Sequence, residues 1–335
     1  MKKERKTRKI PVWAAVLIVL AAAAAGTAAL LAGVGFYILG GIERVPVDEE
    51  ELAINESLNA PPSENPESGG NMGEGAPYRD PSQVVNFAVF GVDTQDADSF
   101  SGGADTVMIA SVNREQGWIR LTSILRDSWI DVDGRGSMKL TDVYRRYGPA
   151  VAIQTINRKF ELNIADYVTI NRYRLAEAVD LIGGVELEIT QAEMEQINRY
   201  AQTSAELAAP GRVHLNGEQA AMYARIRQID SDSQRVLRQK KLLESILARV
   251  REFPVTQYPA ALRRLLGMVE TSMSYSEILA YAPMLSGTLN METRVIPDQE
   301  EKPYGGQNYP GLEGNWVWVY DYGTAAQNLH QFIYG

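Results

Sequence analysis

The longest apolar run in the chain lies near its N-terminus. Between Ile10 and Ile42 no residue is charged. About 20 apolar residues in a helix are enough to cross the hydrocarbon core of a bilayer. The pattern therefore predicts a transmembrane helix at 11–41. A cleaved signal peptide is the alternative, but this apolar core exceeds the roughly 7–15 residues that such signals usually contain.

The charges on the two sides of this run differ in sign. Residues 1–10 are rich in Lys and Arg, whereas acidic residues begin at Glu43 and continue from Asp48 to Glu51. Positive residues accumulate on the cytoplasmic side of a membrane. We therefore expect a single-pass protein of the cell membrane, with a cytoplasmic N-terminal tail and an extracytoplasmic domain.

The apolar periodicity stops after the predicted membrane helix. Residues 42–81 are acidic and rich in Pro, Gly, Ser and Asn, which is typical of a solvated spacer. Residues 82–335 are numerous enough to bury a core of their own. Because the chain has no cysteine, disulfides, zinc–thiolate sites and a cysteine nucleophile are excluded.

Short apolar segments alternate with helical periodicities in the rest of the chain. Three successive segments indicate buried strands of one sheet, at 84–92, 106–112 and 118–124. Further strands are predicted at 167–170, 185–189 and 316–320, and helices at 149–162, 175–182, 191–208, from Asn216 onward, at 233–251 and at 325–334. This alternation favours a layered α/β fold.

The charge of the chain limits the kinds of ligand that it binds. Its formal net charge is −9, and an acidic domain argues against nucleic acid, which needs a basic surface. The two histidines, His214 and His330, are not in a nucleophile–base pattern, so a nucleophilic triad is not expected. An anion site must therefore be built from a local group of arginines.

Two carboxylates lie at the ends of predicted strands. Asp93 ends the first strand and Asp105 precedes the second, and adjacent strand ends bring carboxylates together around a hard cation such as Mg²⁺. Arg126 and Asp127 follow the third strand and would lie at the same edge. The alternatives are ordinary turn residues for the two aspartates and a surface ion pair for Arg126 with Asp127.

Arginines cluster near the start of a later helix. Arg225 and Arg227 precede this helix, and Arg235, Arg238 and Gln239 are spaced to share one face of its first turns. The planar guanidinium binds phosphate oxygens two at a time, and a helix N-terminus adds backbone N–H donors. The cluster is a candidate phosphate site, with a solvated charged surface as the alternative.

These residues lie in motifs that resemble those of the LytR-CpsA-Psr family of Gram-positive bacterial envelopes. The resemblance covers residues 84–252. In chain order, the matching motifs are FGVDT at 90–94, ADTVM at 104–108, SILRDS at 123–128, KLTDVY at 139–144, LIGGV at 181–185, LNGEQA at 215–220, YARIR at 223–227 and RVLRQ at 235–239.

The resemblance implies a phosphotransferase that moves a glycopolymer, such as a teichoic acid or a capsule, from a polyprenyl-pyrophosphate lipid carrier onto peptidoglycan. It also implies an α-β-α layered domain with a central mixed sheet and a core pocket for the lipid tail. Asp93 and Asp105 would hold Mg²⁺ (or Mn²⁺). The residues that would bind the pyrophosphate are Arg126, Arg225, Arg227, Arg235, Arg238 and Gln239, and the first three of these would be catalytic.

Two positions depart from the family pattern. Gln95 and Gly103 stand where many members carry a basic residue, so two phosphate contacts are expected to be absent. This departure keeps a second hypothesis open, namely a non-catalytic extracytoplasmic receptor for lipid-linked or anionic wall polymer. Asp127 and Asp232 are candidates for the base that takes the proton of the acceptor hydroxyl, because they adjoin the matching motifs.

Overall fold

The structure is a computed structural model that describes residues 43–59, 83–252, 263–281 and 290–335. The predicted transmembrane helix at 11–41 lies outside these residues. Within the described ranges, no helix is both long enough and apolar enough to cross a bilayer.

The strands of the described residues belong to one large sheet and three separate two-stranded sheets. In chain order they are β1 (Glu43–Arg44), β2 (Val84–Asp93), β3 (Gly103–Asn113), β4 (Trp118–Ile124), β5 (Trp129–Val132), β6 (Gly136–Lys139), β7 (Asp166–Asn171), β8 (Val185–Ile189), β9 (Gly211–Leu215), β10 (Glu270–Thr271), β11 (Asn290–Ile296), β12 (Tyr304–Gly306) and β13 (Val317–Val319).

The large sheet is built around the three strands that the sequence predicts. β2, β3 and β4 are consecutive antiparallel neighbours, which confirms that prediction. The full order is β1-β10-β7-β2-β3-β4-β11. The pairs β1–β10, β2–β7 and β4–β11 are parallel and the remaining pairs are antiparallel. The sheet is therefore mixed.

Helices cover both faces of this sheet. In chain order, the helices of the domain are α1 (Leu140–Phe160), α2 (Arg172–Leu181), α3 (Gln191–Tyr200), α4 (Gly217–Arg225), α5 (Asp232–Arg251), α6 (Tyr275–Ala280) and α7 (Tyr322–Tyr334). On one face, Phe90 of β2 shares a core with Ile153 of α1 and Leu329 of α7. On the other face, Val89 of the same strand packs in a cluster with Leu243 of α5. Because neighbouring residues of a strand point to opposite faces, the fold is the expected α-β-α arrangement.

A second core lies beside the sheet. The two-stranded β8–β9 sheet packs with α2, α3, α4 and α5 around Tyr223, whose side chain is fully buried. The strand predicted at 185–189 is present as β8, but it pairs with β9 in a separate two-stranded sheet and not with the large sheet of the described residues. This second core holds α4 and the start of α5, the two helical segments that carry the arginine cluster.

Two helix boundaries lie far from the positions that the sequence predicts. α1 begins at Leu140, well before the predicted start, and continues past Gly148, which has a φ of 78°. Pro149 begins the helical segment that follows Gly148, where its missing N–H leaves no hydrogen bond unmade. Gly148 and Pro149 therefore bend the helix without ending it. α3 ends at Tyr200, because the residues after it form a loop in which Leu207 is hydrogen-bonded to Asn198.

Residues 43–59 belong to the folded domain. β1 pairs with β10, and the side chains of Leu52 and Leu58 are buried in the main core. The Asn157 side chain also donates a hydrogen bond of 2.9 Å to the carbonyl oxygen of Leu52. The prediction of a solvated spacer at 42–81 is therefore wrong for 43–59, where a few buried leucines outweigh the acidic composition. Residues 60–82 lie outside the described residues.

Candidate functional site

A cavity of about 190 Å³ lies between the sheet and helices α2, α4 and α5. We call it the site cavity. Its polar lining is at the ends of β2, β3 and β7 and the adjoining helix ends, and its apolar lining follows the strands and the facing helices. The lining residues are Val89, Gly91, Val92, Asp93, Asp105, Thr106, Met108, Ile170, Asn171, Arg172, Leu175, Ala221, Ala224, Arg225, Gln239, Leu242, Leu243 and Ile246.

A larger groove, of about 540 Å³, lies between the two-stranded β8–β9 sheet and α5. Its lining mixes charges of both signs, including Glu186, Arg212 and Lys241. The predicted site residues do not line this groove. The site cavity is therefore the candidate functional site.

The two predicted metal-binding carboxylates both line the site cavity. β2 and β3 pair with a β-bulge, in which Gly91 faces Thr106 and Val92 faces Ala104. Asp105 is the extra residue of this bulge, and bulges redirect side chains at functional sites. A Cβ atom on Gly91 would lie 2.9 Å from the Cβ of Thr106, so this close pairing requires glycine.

Asp105 forms an ion pair with Arg126. The Nη1 of Arg126 contacts Oδ1 of Asp105, and its Nε lies 3.4 Å from Oδ2 of Asp127. The Nζ of Lys139 lies 3.0 Å from the other oxygen of Asp127. Burial lowers the pKa of the Arg126 guanidinium, but the carboxylates of Asp105 and Asp127 more than offset this effect, so its pKa is raised. Arg126 is therefore a permanent cation at the edge of the cavity.

Asp93 lies between two arginines that line the same cavity. The Nη2 of Arg225 donates a hydrogen bond of 3.3 Å to Oδ1 of Asp93. The Nη1 of Arg172 lies 3.9 Å from the same oxygen. Arg225 ends α4, where the helix dipole favours a cation, but Arg172 begins α2, where the dipole disfavours one. The position of Arg172 therefore points to a role in the site.

Arg227 and Gln239 complete the surroundings of Asp105. The Nη2 of Arg227 lies 3.4 Å from the carbonyl oxygen of Asp105. Gln239 lines the cavity, and its Nε2 lies 3.2 Å from Oγ1 of Thr106. The structure thus brings Asp93, Asp105, Arg126, Arg225, Arg227 and Gln239 together, as the sequence predicts.

Arg238 has a different setting from the one predicted. Its side chain is buried, its Nε donates a hydrogen bond of 2.7 Å to Oε1 of Glu193, and its Nη2 contacts Asp230. Its Nη1 donates to the carbonyl oxygen of Ile226. All three nitrogens are occupied away from the cavity lining, so direct pyrophosphate binding by Arg238 is corrected to a structural role. Arg235, one turn earlier, is also buried.

The space above Gly103 is filled by an arginine from another part of the chain. Gly103 is the cross-strand partner of Asp93. A Cβ atom on Gly103 would lie 2.8 Å from Nη2 of Arg145 and 2.9 Å from Oγ1 of Thr141. The space that a side chain at position 103 would fill is therefore occupied by the guanidinium of Arg145, which belongs to α1.

Sequence reasoning did not identify Arg145 and Arg172 as site residues. Arg145 reaches Gly103 only because α1 packs on β3, a contact that local patterns do not reveal. Arg172 had a local signal, because it follows Asn171, which ends β7 and caps α2.

The donor set of the cavity fits a divalent cation. Asp93 and Asp105 offer carboxylate oxygens at one cavity and are both partly exposed. Mg²⁺ is commonly bound by one or two carboxylates together with the phosphates of a substrate. Arginine partners already hold both carboxylates in place.

These features define a class of α/β domain in which a group of arginines and two aspartates adjoins an apolar cavity. A model of the LytR_cpsA_psr family matches residues 53–331. The chain therefore belongs to the LytR-CpsA-Psr family.

Three known proteins show how far the similarity extends. The chain is 30% identical over 195 residues to the polyisoprenyl-teichoic acid–peptidoglycan teichoic acid transferase TagU of Enterococcus faecalis, a match that spans 57% of this chain and 62% of the relative's length. It is 25% identical over 299 residues to TagU of Oceanobacillus iheyensis, which covers 86% and 85% of the two chains. The structure of the family protein YwtF (TagT) with bound octaprenyl pyrophosphate lipid matches with a TM-score of 0.57 and 16% identity, covering 78% of this chain and 92% of that one. This structural likeness shows a shared fold.

Proposed function

We propose that the protein transfers a teichoic-acid-type glycopolymer from a polyprenyl-pyrophosphate carrier onto peptidoglycan. One observation carries the proposal: a single cavity combines an apolar lining with Asp93, Asp105, Arg172 and Arg225. Such a cavity suits a ligand that has a hydrocarbon tail and a doubly phosphorylated head. The names of the TagU relatives and the lipid bound to TagT support the same substrate class.

The apolar lining would bind the first part of the lipid tail. Leu175, Leu242, Leu243 and Ile246 face the sheet residues Val89 and Met108 across the cavity. Burying a hydrocarbon contributes about 25 cal/mol for each Å² removed from water. This contribution does not depend on the attached polymer, so the tail would provide affinity that is common to different donors.

The arginines would act on the phosphates. Phosphoryl transfer depends mainly on positioning and on stabilising the charge of the transferring group. Arg126, Arg225 and Arg227 surround the two aspartates and would bind the phosphate oxygens bidentately. The oxygen of an acceptor hydroxyl would then form the new P–O bond as the bridging P–O bond breaks, and the lipid phosphate would leave with the proton of that hydroxyl.

We further propose that Asp93 and Asp105 hold Mg²⁺ or Mn²⁺ when the donor is bound. The cation would supply neutralising charge to the pyrophosphate. Arg225 and Arg126 hold the two carboxylates at the cavity, and they would orient them towards the shared ligand.

The proposed membrane anchor fits this substrate. Residues 11–41 are uncharged and would keep the domain at the outer surface of the cell membrane, where a lipid-linked donor resides. A reporter fused to the C-terminus tests the orientation, since activity restricted to the extracytoplasmic side is expected. Activity of the reporter in the cytoplasm would contradict this proposal.

The position of Arg145 favours a transferase over a non-catalytic receptor. The receptor hypothesis depends on cations that are missing at Gln95 and Gly103, but a guanidinium lies directly over Gly103. Arg172 adds a further cation to the cavity. The cavity therefore carries more positive charge than the matching motifs alone indicate.

The experiment that tests the function is a transfer assay with the full chain. It combines a lipid-pyrophosphate-linked glycopolymer, peptidoglycan and Mg²⁺, and it includes the isosteric variant Asp93→Asn. We expect a phosphodiester-linked product that is lost in EDTA and in Asp93→Asn. Arg212→Ala, at an exposed position outside the site cavity, is the control and should retain activity. Binding of the donor without product would favour the receptor hypothesis.

A further inference from the structure

The β12–β13 hairpin presents an exposed aromatic surface. We call it the aromatic hairpin surface, and it comprises Trp316 and Trp318, whose rings meet edge to face with centroids 6.4 Å apart. Trp318 pairs with Gly305 and Tyr304 pairs with Val319, so Tyr304 points to the opposite face. Trp316 is 46% exposed. Large exposed aromatic side chains grouped in this way are typical of binding surfaces.

This surface is joined to the candidate site through the main chain. The backbone N–H of Trp318 donates a hydrogen bond of 2.9 Å to the carbonyl oxygen of Asp127. Trp318 also forms a parallel bridge with Ser128. Trp316 lies two residues before this bridge, so the hairpin is joined directly to the segment that carries Arg126 and Asp127.

The surface is formed by ordered local structure. The ring of Trp318 covers Gly305, since a Cβ atom on Gly305 would lie 2.5 Å from that ring. In the connecting loop, the N–H of Gly314 donates to the carbonyl of Gln307 at 2.8 Å, and the N–H of Leu312 donates to Tyr309 at 2.9 Å. A ligand would meet a surface that is already shaped and would not have to order it.

The chemistry of the surface suits a neutral sugar. Residues 304–318 include a single charged side chain, Glu313, and exposed amides at Gln307, Asn308 and Asn315. The apolar face of a sugar ring stacks on an aromatic ring, and side-chain amides both donate to and accept from its hydroxyls. A polyanion such as a teichoic acid would instead require cations.

We propose that the aromatic hairpin surface is the acceptor subsite and binds sugar rings of the peptidoglycan glycan strand. This proposal rests on the proposed function, because it places the acceptor relative to the lipid donor. Contacts run in sequence from the site cavity through Asp105, Arg126 and Asp127 to Trp318. In phosphoryl transfer the attacking and leaving oxygens are roughly in line. Because the lipid phosphate would leave on the side of the site cavity, the acceptor hydroxyl would approach from the opposite side, where the β12–β13 hairpin lies.

The test measures glycan binding without transfer. The full chain is titrated calorimetrically with soluble peptidoglycan glycan oligosaccharides that carry no wall polymer. We expect Trp316→Ala to weaken binding about tenfold and Trp316→Phe, which keeps a stacking ring, to restore most of it. Tyr147→Ala is the matched control, because Tyr147 is exposed on α1 outside the hairpin and should bind as the unmodified chain does.

Transfer kinetics then separate the two substrates. Trp316→Ala should raise the KM for the acceptor while leaving the KM for the lipid donor unchanged. Unchanged glycan affinity in Trp316→Ala would overturn the proposal, and so would a rise in the donor KM alone, which would assign the surface to the donor. If the unmodified chain fails to transfer but Trp316→Ala still loses glycan binding, the subsite stands and only the proposed reaction fails.

Discussion

The guanidinium of Arg225 bonds to the carboxylate of Asp93 across 3.3 Å, so the C-terminal end of α4 is tied to the end of β2. Both side chains are substantially exposed, at 38% and 45%. Exposed ion pairs contribute little to stability, typically about 0–1 kcal/mol. The pair therefore lies at the cavity for a reason other than stability, and phosphate binding is the reason that we propose.

Replacing Arg225 should separate activity from stability. We expect Arg225→Ala to lower the transfer rate by about 100-fold, the effect of losing one group that stabilises developing charge. Its melting temperature should change by about 2 °C or less. Thermal unfolding and the transfer assay measure the two effects on the same preparation.

Arg225→Lys is the matched variant, because it keeps the charge but loses the bidentate fork. It should recover only part of the rate. A melting temperature that falls steeply in Arg225→Ala would show that the residue supports the fold, contrary to the assigned role.

Arg145 should be exchangeable with a cation at position 103. We expect Arg145→Ala to reduce donor binding by about 10- to 100-fold, the range for one hydrogen bond to a charged group. Gly103→Arg added to Arg145→Ala places a guanidinium in the vacated space and should restore most of that loss. Donor affinity, measured with a lipid pyrophosphate, reports both changes.

The single variant Gly103→Arg serves as the control for this exchange. It should be impaired, because its Cβ atom would meet the Arg145 side chain at 2.8 Å. Equal donor affinity in Arg145→Ala and the unmodified chain would remove Arg145 from the site.

Arg238 and Glu193 should contribute chiefly to stability. Arg238 is 3% exposed and holds both Glu193 and Asp230. Arg238→Ala leaves these carboxylates without their cation, and breaking a buried pair in this way typically costs about 3–5 kcal/mol. Chemical denaturation at pH 7 measures the loss. Arg158→Ala, which breaks an exposed pair with Asp133, should change the free energy of unfolding by about 1 kcal/mol or less.

The same pair predicts a dependence on pH. Burial raises the pKa of the Glu193 carboxyl, but the Thr190 backbone N–H and the Arg238 guanidinium lower it by more, so it lies below its ordinary value of 4.5. Its contribution to stability is therefore complete above the ordinary pKa and is lost as the pH falls through the lowered one. In Glu193→Gln, the free energy of unfolding should fall less steeply as the pH is lowered below about 4.5. An unchanged slope in this variant would contradict the assignment of that pH dependence to Glu193.

Local patterns in the sequence predict much of the central sheet and part of the site. Asp93 and Asp105 are recognisable because they lie at strand ends, and the helix predicted from Asn216 onward is present as α4 with Asn216 as its N-cap. Arg145 is not predictable in this way, since its role depends on the packing of α1 against β3.

Burial likewise cannot be inferred from spacing. Arg235 and Arg238 share a helical face with Gln239, yet Arg238 turns into a network with Glu193 while Gln239 lines the cavity. The prediction of a solvated spacer fails at 43–59 for a related reason. The acidic composition of these residues indicates exposure to solvent, yet Leu52 is fully buried.

The central claim is that one cavity binds both the tail and the head of a lipid pyrophosphate. Its most direct test is equilibrium binding of a polyprenyl pyrophosphate, the matching polyprenyl alcohol and inorganic pyrophosphate to the full chain. Leu243→Trp, which narrows the cavity, is compared with Leu237→Trp, an exposed position on the same helix. We predict that the intact lipid pyrophosphate binds far more tightly than either fragment and that only Leu243→Trp weakens it. Equal affinity for the lipid pyrophosphate and one of its fragments, or equal binding by the two variants, would contradict the claim.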